Sequence, residues 1–188
     1  MLPVFTIDNF LPDPEAVRAH ALASEFIDYE GQDGQTYKRV AITDVPGLTE
    51  RLTAHAGGHA PRMLGMGYRL NFGGELPNAA IHSDIGWGSH ALVLYLSSPP
   101  PGEPQGTAFW RHRETGEVSL APGDLGLLSL VENDWDQPEK WELVQLVQHQ
   151  FNRALIYPSS LFHSRYPFPA FGTGPEDGRL IAVAFFNW

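Results

Sequence analysis

The sequence predicts a mainly β fold, a sandwich or barrel with a partly helical flank at its N-terminal end. Three observations predict it. After Pro61, short β-leaning runs alternate with turn clusters at regular spacing. Before Pro61 the two clearest elements carry helix signals instead. At 188 residues, with 43% hydrophobic and 18% charged residues, the chain suits one domain with a sizeable core.

Residues 4–7 read as a short strand. Asp13-Pro14-Glu15 then opens a helix, because Asp13 can cap it and Pro14 fits the first helical position. That helix runs to about Ser24. Residues 29–37, rich in Gly, Gln and Asp, read as a loop, and residues 48–55 as a second helix stopped by Gly57-Gly58. Beyond Pro61, β-leaning runs cover residues 66–72, 79–82, 91–96, 107–111, 125–130, 154–157 and 180–186. Gly73-Gly74, the loop 97–106, Pro122-Gly123-Asp124 and the loop 171–178 separate them. Residues 134–152 fit either period; Trp141, Val144 and Val147 favour a helix first, with a strand from about Phe151.

The formal net charge of −10 argues against a nucleic-acid or anionic-membrane surface, since both need basic patches. With no cysteine, disulfides, thiolate metal sites and cysteine nucleophiles are excluded, so any metal must use His, Asp or Glu. No basic n-region or long apolar stretch follows Met1, and no apolar run approaches the ~20 residues of a membrane span. A cytoplasmic protein is the expectation.

The chemistry-bearing residues begin with His82-Ser83-Asp84. Alone, the tripeptide says little: with 8 histidines and 22 acidic residues, about one His-x-acid is expected by chance. Its context says more. His82 ends an apolar run, and residues i and i+2 of a strand share a face, so His82 and Asp84 can both turn inward. His163 follows a strand and a turn. Arg179 heads an apolar run in which it shares parity with Ile181, Val183 and Phe185. An inward arginine needs a counter-anion: either an internal acid or a ligand carboxylate. Two imidazoles and one carboxylate can hold a divalent iron on one face and leave the opposite positions open.

In this series the chain resembles the iron(II)/2-oxoglutarate dioxygenases, the prolyl-hydroxylase-like branch in particular. The resemblance covers about residues 66–188. His82-Ser83-Asp84 looks like the family's His-x-Asp. Leu94-Tyr95-Leu96-Ser97 is similar to its Tyr-Leu-Asn strand end. Gly106-Thr107-Ala108-Phe109 looks like a Gly-Gly strand start, and Pro122-Gly123-Asp124 like the turn before the next strand. Asn152-Arg153, with His163 beyond, is similar to its Asn-Arg segment, and Arg179 fits its cosubstrate arginine. The chain departs at Asn71, where a tyrosine is usual, and at Ser97, where an asparagine is. The interval from His163 to Arg179 is sixteen residues rather than about ten.

The resemblance implies a distorted double-stranded β-helix (jelly roll, cupin-like) over residues 61–188, with residues 1–60 as flank. It implies Fe(II) bound by His82, Asp84 and His163. Arg179, assisted by Tyr95 and Asn71, would hold the cosubstrate 2-oxoglutarate. Hydroxylation of an amino acid, peptide or small metabolite with dioxygen, releasing succinate and carbon dioxide, would follow; Asp84 favours hydroxylation over halogenation. Trp87 and Arg165 are candidates for the substrate pocket, with loop packing and a solvated arginine as their plainer roles; Trp110 and Arg111 either line the cavity or cap the barrel. The other functional class is a non-catalytic cupin-like metal- or ligand-binding sensor module, which would not require Arg179 with Tyr95. A metal-free structural barrel is the third. His55 and His59 do not form a helical metal pair, because Gly57-Gly58 breaks the helix between them.

Overall fold

The computed structural model describes residues 2–188 except Gln32, Asp33, Asn78 and Ala79. Ten strands and three α-helices follow in the order β1 (Phe5–Ile7), α1 (Pro14–Leu22), β2 (Ile27–Glu30), β3 (Thr36–Ile42), α2 (Leu48–His55), β4 (Arg62–Asn71), β5 (His90–Tyr95), β6 (Gly106–His112), α3 (Leu125–Asp134), β7 (Trp141–Gln148), β8 (Ala154–Pro158), β9 (His163–Tyr166) and β10 (Arg179–Asn187). Seven strands make one sheet, in the order β1-β8-β5-β10-β4-β3-β2; three make a second, β7-β6-β9. All named pairings are antiparallel. This is the jelly-roll class that the sequence predicts.

Strand parity sorts the large sheet into two faces. Along β10, Leu180, Ala182, Ala184 and Phe186 point to one side, where they join Tyr68, Leu70, Leu92 and Leu94 in a core closed by Val17 and Ala21 of α1 and Leu48 and Leu52 of α2. Arg179, Ile181, Val183 and Phe185 point to the other side, toward the small sheet. There Ile181 meets Val93, Tyr95, Phe109, Val147 and Leu155 in a second core. A third core lies beyond the small sheet, where Ala108, Trp110, Trp141 and Phe162 pack on Leu127 and Val131 of α3. The layers are therefore helices, sheet, inner cavity, sheet, helix.

Most elements follow their sequence signals. Asp13 caps α1 through its carboxylate and the Ala16 amide at 3.0 Å, with Pro14 at the first turn. Helix α2 has the expected bounds. Four expectations need correction. Residues 125–130 are not a strand but the start of α3: Asp124 accepts the Leu127 amide at 2.9 Å, and Leu127 and Val131, four apart, bury one helical stripe. Residues 134–152 hold no long helix. Trp141–Gln148 is a strand on the edge of the small sheet, and its exposed Leu143 and Val144 explain why its alternation is blurred. Residues 29–37 are only partly a loop, because β2 and β3 claim both ends as a hairpin; Gln32 and Asp33 lie outside the described residues. Residues 80–82 make no strand, and His82 enters the sheet by a single bridge; Ala79 lies outside the described residues.

The segment before Pro61 contributes to the same large sheet. β1 pairs with β8, and β3 pairs with β4, so both outer positions beside the central strands come from it. Gly67 shows how tight that join is. A Cβ there would stand 2.2 Å from the Ala41 carbonyl oxygen, so only glycine lets β3 lie against β4.

Candidate metal centre

His82 and His163 face each other across an isolated antiparallel bridge. Each donates its amide to the other's carbonyl, at 3.1 and 2.9 Å. Directly opposed residues in such a pair send their side chains to the same face, so the backbone alone brings the two imidazoles together. Their ring centroids are 4.5 Å apart. Asp84 leaves the bridge rather than extending it. Its φ and ψ of −103° and 28° end the extended chain and begin a short 3-10 helix, Ile85–Trp87. The Asp84 amide donates to the Ser159 carbonyl at 2.7 Å, and its own carbonyl accepts the Trp87 amide at 2.9 Å. The carboxylate thus returns to the imidazoles, with Oδ2 3.2 Å from His163 Nε2 and Oδ1 3.8 Å from His82 Nε2.

One ligand atom from each of His82, Asp84 and His163 lies within 4.8 Å of the other two. Ligands at ~2.0–2.2 Å on neighbouring positions of a metal stand about 3 Å apart, so small side-chain adjustments suffice for all three to bind one ion. Chemistry agrees with geometry. His163 Nδ1 lies 2.9 Å from the Leu161 carbonyl, which fixes the proton there and leaves Nε2 as the free lone pair. Burial, and then the neighbouring His163, pushes His82 down to about 4, so that ring is neutral as a ligand must be. Its Nδ1 is buried without a hydrogen-bond partner among the described residues. Burial also opposes charge on His163, but the Asp84 carboxylate outweighs it and raises the imidazole. Burial raises Asp84, yet the two imidazoles hold it below its usual value. The donor set therefore fits a divalent ion with nitrogen and oxygen ligands.

The three residues line a cavity of ≈ 250 Å³ between the sheets. Arg179 lines it too, and is 5% exposed. Burial lowers its guanidinium to about 10, which leaves it charged at neutral pH. Arg18, Arg39, Arg111 and Arg153 have acidic partners. Arg179 has none among the described residues, so the internal-acid explanation for its inward direction does not hold.

The other sequence candidates fall into place unevenly. Tyr95 is fully buried one layer behind the cavity. Its hydroxyl shares a 2.8 Å hydrogen bond with Thr107 Oγ1, and Thr107 lines the wall. Its ring stacks on His149 at 4.1 Å. Asn71 pairs with Arg179 in register and is buried, but does not line the cavity. Trp87 lines it and stacks on Phe185 at 5.6 Å. Arg165 lines it while its Nε and Nη2 are held by the Phe168 and Glu75 carbonyls at 2.7 and 2.6 Å. Trp110 donates to Ser164 Oγ at 2.9 Å, and Arg111 pairs with Glu142 at 2.8 Å on the outside.

Several cavity residues escaped the sequence reading. Tyr29 and Tyr37 were hidden in the presumed loop. Tyr157 is buried beneath the site, its hydroxyl raised well above the usual value by burial and then by Asp84. Arg69 had a readable signal. It is an arginine within an apolar run, at the parity that singled out Asn71, and it faces Ile181 across the β4–β10 ladder.

Residues 81–186 match the model of a family of unknown function (DUF6445). The chain belongs to that family. The match begins one residue before His82 and ends within β10, so the DUF6445 region contains the three metal-ligand candidates and Arg179, but not Asn71. No curated protein matches the sequence significantly. Among solved structures, the chain is similar to the non-heme alpha-ketoglutarate-dependent epimerase SnoN from nogalamycin biosynthesis, with a TM-score of 0.61 at 16% identity, covering 96% of this chain and 76% of that one. It is similar to HygX from Streptomyces hygroscopicus with nickel and 2-oxoglutarate bound, with a TM-score of 0.59 at 14% identity, covering 97% and 82%. A Pseudomonas putida prolyl-4-hydroxylase gives 0.50 at 15%, covering 99% and 93%. At these identities, this DUF6445 member shares with them a fold.

Proposed function

We propose that this protein is an Fe(II)/2-oxoglutarate-dependent oxygenase that hydroxylates a C–H bond of a small molecule, amino acid or peptide. The observation that carries the reading is a single one: the His82–His163 cross-strand pair and Asp84 share a cavity with a buried arginine, Arg179, that has no acidic partner among the described residues. A bare metal-binding module has no use for that arginine. The solved structures that share its fold include a protein with nickel and 2-oxoglutarate bound.

In this reading His82, Asp84 and His163 would hold the iron. Iron, when bound, supplies the redox chemistry by which dioxygen converts 2-oxoglutarate to succinate and carbon dioxide and a substrate C–H to C–OH. The chain's own groups do the positioning. Arg179 grips the far carboxylate of the cosubstrate by charge-assisted hydrogen bonds. Thr107, backed by the Tyr95 hydroxyl, supplies a further polar contact on the same wall. Tyr157 stays protonated beside Asp84 and can donate without adding charge. Trp87 and Phe185 shield the opening from water. Residues 1–188 act as one unit, since β1 to β3 complete the sheet that carries Arg179.

Anaerobic titration tests it. Fe(II)-loaded protein should bind 2-oxoglutarate, and admitting air should yield succinate with oxygen uptake that Asp84→Ala abolishes. Tight metal binding with no cosubstrate binding would instead support the sensor reading.

A further inference from the structure

The cavity holds more positive charge than the proposed cosubstrate can neutralise. Arg69, Arg165 and Arg179 all line it, and among the described lining residues Asp84 is the one acid. With a divalent ion on the triad and a doubly charged cosubstrate on Arg179, the two remaining guanidinium groups keep the cavity cationic. This is notable inside a chain whose formal net charge is −10. Arg165 is largely committed to the Phe168 and Glu75 carbonyls. Arg69 is not. Among the described residues its Nε is buried without a hydrogen-bond partner and no acid stands within ion-pair distance of it, although the Asp84 charge reaches it from across the cavity. Its guanidinium carbon stands 5.1 Å from the centre of the Tyr37 ring, so the ring supports one face. An arginine backed this way keeps its in-plane donors for a two-pronged acceptor.

Its position separates it from the cosubstrate arginine. Arg69 lies opposite Ile181 on β4, whereas Arg179 lies one alternation further along β10, opposite Asn71. Ile181 and Val183 are the neighbouring apolar wall, and Tyr29, Tyr37, Trp87 and Phe185 add aromatic surface. We propose that the substrate is a small organic anion, and that Arg69 is its specificity-determining residue. The anionic group seats on the Arg69 edge, and the apolar body lies along Trp87 and Phe185 toward the metal centre.

This rests on the oxygenase reading for the reaction but not for the recognition, so the two can fail separately. The probes are 3-phenylpropanoate, its neutral amide, and phenyl phosphate, titrated calorimetrically into the protein alone and into protein loaded with Ni(II) and 2-oxoglutarate. Loaded wild-type protein should bind an anion at least tenfold tighter than the amide. A preference for phenyl phosphate over 3-phenylpropanoate would assign the anion as a phosphate ester, the reverse as a carboxylate. Arg69→Gln should erase the preference while changing 2-oxoglutarate affinity less than twofold, and Arg69→Lys should restore part of it. Equal binding of anion and amide by wild-type protein, no anion binding at all, or an Arg69→Gln variant that loses 2-oxoglutarate would each overturn the proposal. If wild-type protein takes no 2-oxoglutarate, the oxygenase reading fails. The charge preference of the unloaded protein, present or absent in Arg69→Gln, then still decides the anion site.

Discussion

At the scale of single residues, the centre depends on pairs rather than on a motif. His82 and Asp84 are two apart in sequence, but the decisive neighbour of His82 is His163, held by reciprocal backbone hydrogen bonds. Removing the Asp84 carboxylate leaves two imidazoles and no anionic ligand. Asp84→Ala should weaken Ni(II) binding by more than about 100-fold by calorimetry, with an unchanged far-ultraviolet circular dichroism spectrum. In the proposed reaction Arg179 acts on the other ligand, the cosubstrate. Losing charge-assisted hydrogen bonds worth about 1.5–3 kcal/mol, Arg179→Gln should raise the 2-oxoglutarate concentration needed for half-saturation by about tenfold or more. Metal affinity should stay within twofold. Equal loss of metal and cosubstrate in that variant would mean that Arg179 supports the fold rather than the ligand.

At the scale of elements, two short polar devices hold long ones in place. Asn152 sits at φ 60° just before β8 and is buried. Its amide donates to the Leu11 carbonyl at 2.9 Å, and its side-chain oxygen accepts the Leu11 amide at 2.8 Å. That clamp joins the β1–α1 connection to the large sheet across 141 residues of sequence. Asn152→Ala removes both bonds, leaves two buried backbone groups unpaired and disfavours the left-handed backbone; it should cost about 2–4 kcal/mol in urea unfolding. Asp124 is the milder case. Asp124→Ala should cost about 1 kcal/mol, the usual worth of an N-cap, and leave ligand binding intact because α3 packs behind the small sheet.

At the scale of the whole molecule, stability carries a buried histidine behind the cavity. Burial, then the Arg179 charge, lowers His149 to about 3. Its Nε2 lies 2.8 Å from the Ser97 carbonyl, and its Nδ1 has no partner among the described residues. The folded value is below the unfolded one near 6.5, so the unfolded chain takes up the proton first. The contribution is intact above pH 6.5 and is lost as pH falls toward 3, at about 1.4 kcal/mol per pH unit. Denaturant midpoints measured from pH 7 to 4 should fall with this slope in the wild type and more gently in His149→Gln, which keeps a donor for Ser97 without a titrating ring. Parallel slopes would place the acid sensitivity elsewhere.

Much of this molecule was legible in its residues. The Asp13-Pro14 helix start and the alternation that sends Arg179, Ile181, Val183 and Phe185 one way follow from local chemistry, because capping and period-two burial are properties of neighbouring residues, whereas the His-x-Asp, His, Arg order was legible only through its resemblance to a known family. Helix α3 differs from the expected strand because a short leucine-rich run suits either structure until its packing partner is known. Strand β7 was misread because an edge strand of a small sheet exposes apolar side chains that blur its period. Residue identity and strand period set the kinds of side chain available to the centre and the faces on which most of them lie. Tertiary structure decided which of them meet: the single bridge that sets His163 opposite His82, the placement of Tyr95 behind Thr107 rather than in the wall, and the entry of Arg69 into the cavity. Those depend on contacts between residues far apart in the chain, where only the register of one strand against another sets the distance.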